Sequence, residues 1–420
     1  PKGGMIARFW EHGPDDFELN GGERPMAEYY VEGVSREVLA AKATLRAARA
    51  AHAKFVETIA DMMVMREMPQ PKPAFVLKRG AYDAPGEAVS AETPRVMPAM
   101  AKDLPRNRLG LAKWLVDPAN PLMARVTVNR AWQQMFGRGI VETSDNFGLQ
   151  GSPPTHPELL DWLARVFVDD LKWDHKALLK LIATSATYRQ SSRASAELLA
   201  KDPQNLLLAR GPARRLSAEM LRDQALAVSG LLVEKVGGPS VKPYQPAGLW
   251  EEIAMGRPSY GQGKGADLYR RSVYTFWKRT VPPPAMMTLD AADRSYCTVK
   301  RQSTSTPLQA LALLNDVQQV EAARQVGQRM IKEGGRTDGE RATWAFLLVT
   351  GRAATEKELA VLVRILAEQR AIFAAEPGAA KKLIGMGESK ADAAVDPVEL
   401  AAGTVLAQAL LNHDEAIMRR

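Results

Sequence analysis

The chain has 420 residues, 46% hydrophobic and 25% charged, which is enough apolar material for a buried core and excludes disorder as the default state. Its net charge of +8 arises from 56 basic residues interleaved with 48 acidic ones, and without a block of one sign this balance argues against a nucleic-acid-binding face. The single cysteine, Cys297, excludes an intrachain disulfide and any zinc site built on paired Cys-x-x-Cys motifs.

Residues 1–34 carry Gly, Pro and aromatic residues without a period and read as irregular structure. Ser35 is a fitting N-cap for an Ala-rich helix running to about Arg66. Leu39, Ala43, Ala47, Phe55, Ile59 and Met62 give it a loose apolar stripe, of the kind that packs on a partner helix. Residues 68–105 are rich in proline and extended, with one β-like run at Phe75–Leu77. Short helices are expected over Arg108–Val116 and over Leu122–Phe136, the second ended by Gly137 and Gly139. A loop, Val141–Pro154, leads to a third helix at Thr155. There Glu158 stands at capping-box spacing and Pro157 lies in the first turn, while Leu159, Leu160, Leu163, Val166 and Phe167 form the buried face. His175–Tyr188 reads as a fourth helix.

Further on, Ser217–Val236 is expected to be helical and to end at Gly237-Gly238, followed by a Gly- and Pro-rich loop over 239–265. Ser272–Lys278 is β-prone by its aromatic and β-branched content. A helix from Thr306-Pro307 to about Lys332 follows, then Thr343–Thr350, Thr355–Phe373 with Thr355 and Glu358 at capping-box spacing, and Asp396–Glu415. No stretch of about 20 apolar residues occurs, so no membrane-spanning helix is expected. The chain begins at Pro1 with no apolar leader, so the native N-terminus and any targeting segment are expected upstream.

These elements divide the chain into three parts. Residues 1–67 are an irregular segment and long helix, the tail of a preceding region. Residues 68–105 are a Pro-rich extended segment. Residues 106–420 are the main helical domain, with a dense signature at 106–192 and C-terminal helices at 304–420. The fold class expected is mainly α: a compact multi-helical domain with a few short β-strands and an N-terminal helical extension.

The stretch from Arg108 reads RLGLAKWLVDPANPLMARVTVNRAWQQMFGRGIVETSDNFGLQGSPPTHPELLDWLARVFV, and is followed by LLKLIATSATYRQSS. Together with FVLKRGAYDAPGE at Phe75–Glu87 and CTVKRQSTSTPLQALALLND at Cys297–Asp316, it resembles a planctomycete-type domain of unknown function found at the C-terminus of large exported proteins. The resemblance runs from about residue 60 to near the end. It implies an exported, periplasmic or cell-surface protein in which a cytochrome-c-like domain precedes this one, with links by analogy to polysaccharide use or electron transfer. It implies no known reaction. The chain has no Cys-x-x-Cys-His, so no cofactor is expected within it, and any haem c would belong to an upstream domain.

Each polar cluster admits a functional and a structural reading. Arg125, Asn129 and Gln133 share a helix face, with Arg130 and Trp132 beside them. They would bind a sugar or an anion, with Trp132 as a stacking platform, or else form a buried network that anchors the loop after Gly139. Asp145, Asn146, His156 and Glu158 lie in a polar loop that runs into a helix N-terminus. Asp145 and Glu158 would be an acid/base pair and His156 a base, or else they are turn and cap residues. Arg189, Arg193, Arg210, Arg214, Arg215 and Arg222 would take a sulfate or carboxylate in bidentate fashion, or pair with Glu219, Asp223 and other acids. Tyr274 and Trp277, among Tyr269, Arg270, Arg271 and Lys278, would form a carbohydrate platform or one half-buried strand. Cys297, without an assignable partner, reads as a small hydrophobe rather than a nucleophile. No metal site is expected.

The leading expectation is a non-catalytic binding or scaffolding domain of a multidomain protein. It would present an anionic or neutral polysaccharide, or dock a cytochrome-c-like domain of the same polypeptide. The alternative is a polysaccharide-active enzyme, hydrolytic or oxidative, with its site around residues 129–158.

Overall fold

In the computed structural model, residues 29–419 are described apart from residues 32, 60 and 254–258. Residues 1–28, expected to be irregular, lie outside the described residues. The chain divides into two compact units, Pro1–Glu92 and Thr93–Arg420. In the first, Ser35 opens α1 (Arg36–Glu57) by accepting from the Val38 amide at 3.5 Å. No residue of α1 is buried. The helix stops short of Arg66, where the Thr58 hydroxyl donates to the Phe55 carbonyl at 2.6 Å and so takes up a terminal acceptor. Strands β1 (Ala74–Leu77) and β2 (Pro85–Val89) form an antiparallel hairpin in which Ala74 faces Val89 and Phe75 faces Ala88, with an irregularity before Leu77 faces Pro85.

The second unit begins with the signature region. Asn107 caps α2 (Arg108–Leu115), its side chain accepting from the Gly110 amide at 3.1 Å. Helix α3 (Met123–Phe136) ends at Gly137, whose φ of 83° is the left-handed turn that glycine allows. Helices α4 (Pro157–Asp169) and α5 (His175–Thr184) complete the group. Val128 and Trp132 of α3, Leu163 and Phe167 of α4, and Leu178 and Ile182 of α5 meet in one core with Ile140 and Val141. Burying each large side chain there contributes about 1.5–3 kcal/mol. The expected capping box at Thr155 and Glu158 does not form. Pro157 takes the first helical position, so His156 becomes the N-cap, and Thr155 bonds back to the Ile140 carbonyl through its amide (2.9 Å) and hydroxyl (3.3 Å). Thr155 therefore closes the loop rather than opening the helix.

The rest of the unit comprises α6 (Ala196–Lys201), α7 (Ala218–Ser229), α8 (Leu249–Ile253), α9 (Pro284–Thr288), α10 (Pro307–Asn315), α11 (Val317–Glu333), α12 (Asp338–Thr350), α13 (Glu356–Ala375), α14 (Pro377–Ile384), α15 (Pro397–Leu411) and α16 (Asp414–Ile417). Two-residue strands β3 (Arg214–Arg215) and β4 (Met418–Arg419) pair antiparallel. Helix α7 ends at Gly230, with φ of 79°, and not at Gly237-Gly238. The single helix expected from Pro307 to Lys332 is two, because Asp316 turns extended (φ −61°, ψ 135°) and accepts from the Gln318 amide at 2.9 Å. Ser272–Lys278 is a 3₁₀ turn over Ser272–Tyr274 with lone bridges from Val241 to Thr275 and from Lys278 to Val281. The Gly- and Pro-rich segment beside it offers no continuous ladder.

Helices α11, α12, α13 and α15 enclose the largest core, including Val326, Met330, Phe346, Leu366, Leu406 and Leu410. Helix makes up 51% of the chain, so the protein is mainly α. Among the described residues no helix is long and apolar enough to cross a membrane.

Candidate functional site

The segment after α5 folds tightly because its own polar groups hold it. The Asp202 carboxylate accepts from the Leu206 and Leu207 amides at 2.8 Å each. Arg210, 9% exposed, donates to the Asp202 and Pro203 carbonyls at 2.8 Å. Asn205 and Leu208 adopt positive φ to make the turn. Gly211 is required where it stands, since a Cβ there would lie 2.3 Å from the Gln190 carbonyl oxygen. This segment forms one wall of a cleft of about 1040 Å³. The other wall comes from the end of α12, Arg352, the end of α16 and β4. That volume stands at the upper end of small-ligand sites, which run from about 300 to 1,000 Å³.

Four arginines line the cleft, Arg193, Arg210, Arg352 and Arg419, against one carboxylate, Glu415. Two of the four are already engaged. Arg352 forks onto both oxygens of Glu358 (2.9 and 2.6 Å) and donates Nε to Glu415 at 2.6 Å. The Arg352 guanidinium holds the Glu358 carboxyl well below the usual carboxylate range. Arg210 is held by backbone carbonyls. Among the described residues, Arg193 and Arg419 have no carboxylate within 4.0 Å.

Beside the cleft, next to the lining residue Ala213, Arg214 adds to this excess. The β3–β4 register sets Arg214 directly opposite Arg419. Burial lowers the pKa of both, and Arg214 Nε is buried without a partner among the described groups. Like charges opposite each other in a ladder repel, and neither has a countercharge among the described residues. The arrangement is suited to an anion that accepts from several guanidinium edges.

The other candidates are placed as follows. Asn129 is fully buried. Its amide donates to the Val141 carbonyl (3.0 Å) and its oxygen accepts from the Val141 amide (2.8 Å), while Gln133 accepts from the Ser144 hydroxyl at 2.7 Å. The pair thus anchors the loop after Gly139. Trp132 is 6% exposed and stacked on Phe136 with centroids 4.1 Å apart, so it offers no free face to a sugar. Arg130, Asp145 and Glu158 are exposed, His156 is half-buried with Nδ1 3.0 Å from the Thr155 hydroxyl, and none of the four lines the cleft. Asn146 accepts from the Gly148 amide at 2.9 Å and stabilises a turn.

Arg189 is exposed next to the cleft residue Gln190. Arg215 donates to Asp290 (2.6 Å) and to the Leu289 carbonyl (3.1 Å). Arg222 donates mainly to carbonyls, those of Arg270 and Leu268, and Glu219 pairs instead with Arg301. Tyr274 and Trp277 each have an arginine over the ring, Arg270 at 3.8 Å and Arg294 at 4.4 Å, which leaves neither face open on that side. Cys297 is exposed and free. Among the described residues no three His, Cys, Asp or Glu are grouped to hold a metal ion.

A family model described as PSD1, protein of unknown function (DUF1553), matches residues 107–366. The chain belongs to this family. The match covers more than half of the chain and takes in the signature helices α2 to α5, though it is narrower than the stretch from residue 60 to the end that the motifs suggested. Within the PSD1 match lie Arg193, Arg210, Arg214 and Arg352, while Glu415 and Arg419 fall beyond it. No curated protein matches the chain. No solved structure matches it either.

Sequence reasoning singled out the arginine-rich run but missed Arg419. A two-residue strand has no alternation to reveal it, and its partner lies far away in the chain.

Proposed function

We propose that the chain is the non-catalytic binding module of a larger exported protein, and that its cleft takes up a sulfated or carboxylated segment of a polysaccharide. One observation carries this reading: Arg214 and Arg419 stand opposite each other beside an open cleft, half-buried and without a countercharge among the described residues. An anionic group would relieve their repulsion and accept from their free N–H edges. The volume of the cleft, about 1040 Å³, suits a chain segment rather than a single ion. The enzyme reading around residues 129–158 has less support, because Asn129 and Gln133 hold the loop together and Arg130, Asp145 and Glu158 are exposed outside the cleft.

The test is a screen of the purified chain against immobilised sulfated, carboxylated and neutral glycans. Retention on anionic glycans alone is expected. Retention on neutral glycans alone, or on none, would end the proposal.

A further inference from the structure

A second, smaller cavity lies between α7, α9 and the α10–α11 junction, with a volume of about 50 Å³. Ala218 and Arg222 line it from one face of α7, four residues apart. Gln224, which lines the arginine cleft, is two residues on and so points to the far side of the same helix. The two sites are therefore separate.

Most of the small cavity is apolar, walled by Met286, Leu289 and Leu313. Several polar groups interrupt that wall, and two of them, Gln318 and Thr275, carry an unpartnered atom. Gln318, 4% exposed, accepts from Arg222 Nη2 at 3.1 Å through Oε1, which fixes the orientation of the amide and turns Nε2 elsewhere as a donor. That Nε2 has no partner among the protein's described groups. Thr275, 5% exposed, has its hydroxyl oxygen in the same condition. Buried polar groups are ordinarily satisfied, so two orphans lining one cavity point to something that enters it. Arg222 and Asp316, of opposite sign, both line the cavity, so it favours no net charge. Tyr244, Pro283, Ala285 and Ala312 are half-buried and leave the cavity within reach of solvent.

We propose that this cavity is a binding site for a small uncharged polar group, a carbonyl or hydroxyl on a short aliphatic body. Its oxygen accepts from Gln318 Nε2, its polar hydrogen or second lone pair meets the Thr275 hydroxyl, and its aliphatic part lies on Met286, Leu289 and Leu313. One water needs about 10–15 Å³ of such space, so the cavity of about 50 Å³ takes about three to five heavy atoms.

The test is a ligand-observed NMR titration of the full chain with propionamide, using propionate and propylammonium as charged counterparts of the same size. Saturable binding of propionamide with a Kd of about 1 mM is expected, which lies within the ceiling for so few atoms. Thr275→Val keeps the shape and removes the hydroxyl, and Gln318→Met removes the donor. Each is expected to weaken binding by about fivefold, the loss of one hydrogen bond, with the far-UV spectrum unchanged. Neither charged counterpart is expected to saturate. Absence of saturable propionamide binding to the unmodified chain would overturn the proposal and leave the cavity to water alone. So would propionamide binding that Thr275→Val leaves unaltered, or equal binding of the charged compounds.

Discussion

The Arg419 guanidinium carbon lies 4.0 Å from the centroid of the Tyr188 ring, which ties β4 to the segment that follows α5. The ring face attracts the cation yet accepts none of its N–H bonds, so the guanidinium edges stay available to a ligand. Tyr188 is in turn placed by Phe136, edge to face at 5.4 Å. A contact of this kind contributes about 0.5–2 kcal/mol depending on its exposure. Tyr188→Leu is expected to lower stability by about 1 kcal/mol and to weaken anion binding, whereas Tyr188→Phe, which keeps the ring, leaves both nearly unchanged. Urea denaturation and a sulfated-glycan titration on both variants check this.

The crossing of α11 and α15 depends on glycine. A Cβ on Gly327 would lie 2.8 Å from the Gly403 carbonyl carbon and 2.9 Å from the Thr404 amide nitrogen, and backbone cannot yield as a side chain can. Gly327→Ala gains about 1 kcal/mol of helix propensity, but overpacking costs about 1–3 kcal/mol. A net loss of about 1 kcal/mol is expected in the denaturation free energy. At Gly403 the nearest obstacle is the flexible end of Met330, at 3.0 Å. Gly403→Ala is expected to be neutral or stabilising, and equal losses at both positions would refute this account of the crossing.

Asn129 stands in for a strand partner to Val141, bonding both its amide and its carbonyl. The fit is close, since a Cβ on Gly139 would lie 2.7 Å from Asn129 Nδ2. Asn129→Ala leaves two buried backbone groups unpaired, at about 1–3 kcal/mol each. A loss of about 3 kcal/mol is expected, together with faster amide hydrogen exchange at Val141.

Glu358 provides a pH dependence with a definite sign. Its folded pKa is depressed by Arg352, so the unfolded chain binds its proton more readily. The stabilisation is therefore full above the unfolded carboxyl value of about 4.3 and declines as pH falls towards the folded one. The stability gap between the unmodified chain and Glu358→Gln is expected to be largest at pH 6–7 and to shrink steadily below about pH 4. Denaturation midpoints across that range are the measurement, and a constant gap would contradict the assignment.

What the sequence revealed tracks the reach of each signal. Caps act within one turn, so Ser35 and the Thr355–Glu358 box were legible, and the Thr355 box forms as expected. The end of α7 was misplaced because Gly237-Gly238 outweighed Gly230, though one left-handed glycine suffices. The break at Asp316 was hidden because Asn315-Asp316 can sit within a helix as well as cap one. The aromatic run 272–278 carried β propensity, but propensity cannot supply the neighbouring strand. Arg193 and Arg210 of the cleft were visible within an arginine-rich run, whereas Arg352, Arg419 and the acid Glu415 that engages Arg352 come from far along the chain and gave no local signal.

The most direct measurement is the affinity of a sulfated dextran oligosaccharide for three forms of the chain, by isothermal titration calorimetry. These are the unmodified protein, Arg193→Ala with Arg419→Ala, and a charge-matched control, Arg130→Ala with Lys180→Ala, whose residues are exposed outside the cleft. At least about a tenfold loss is expected for the cleft pair, the scale of one charge-assisted hydrogen bond, and less than about a twofold change for the control. Equal losses in the two double variants would show that the attraction is only the general charge of the surface and would contradict the cleft as the binding site.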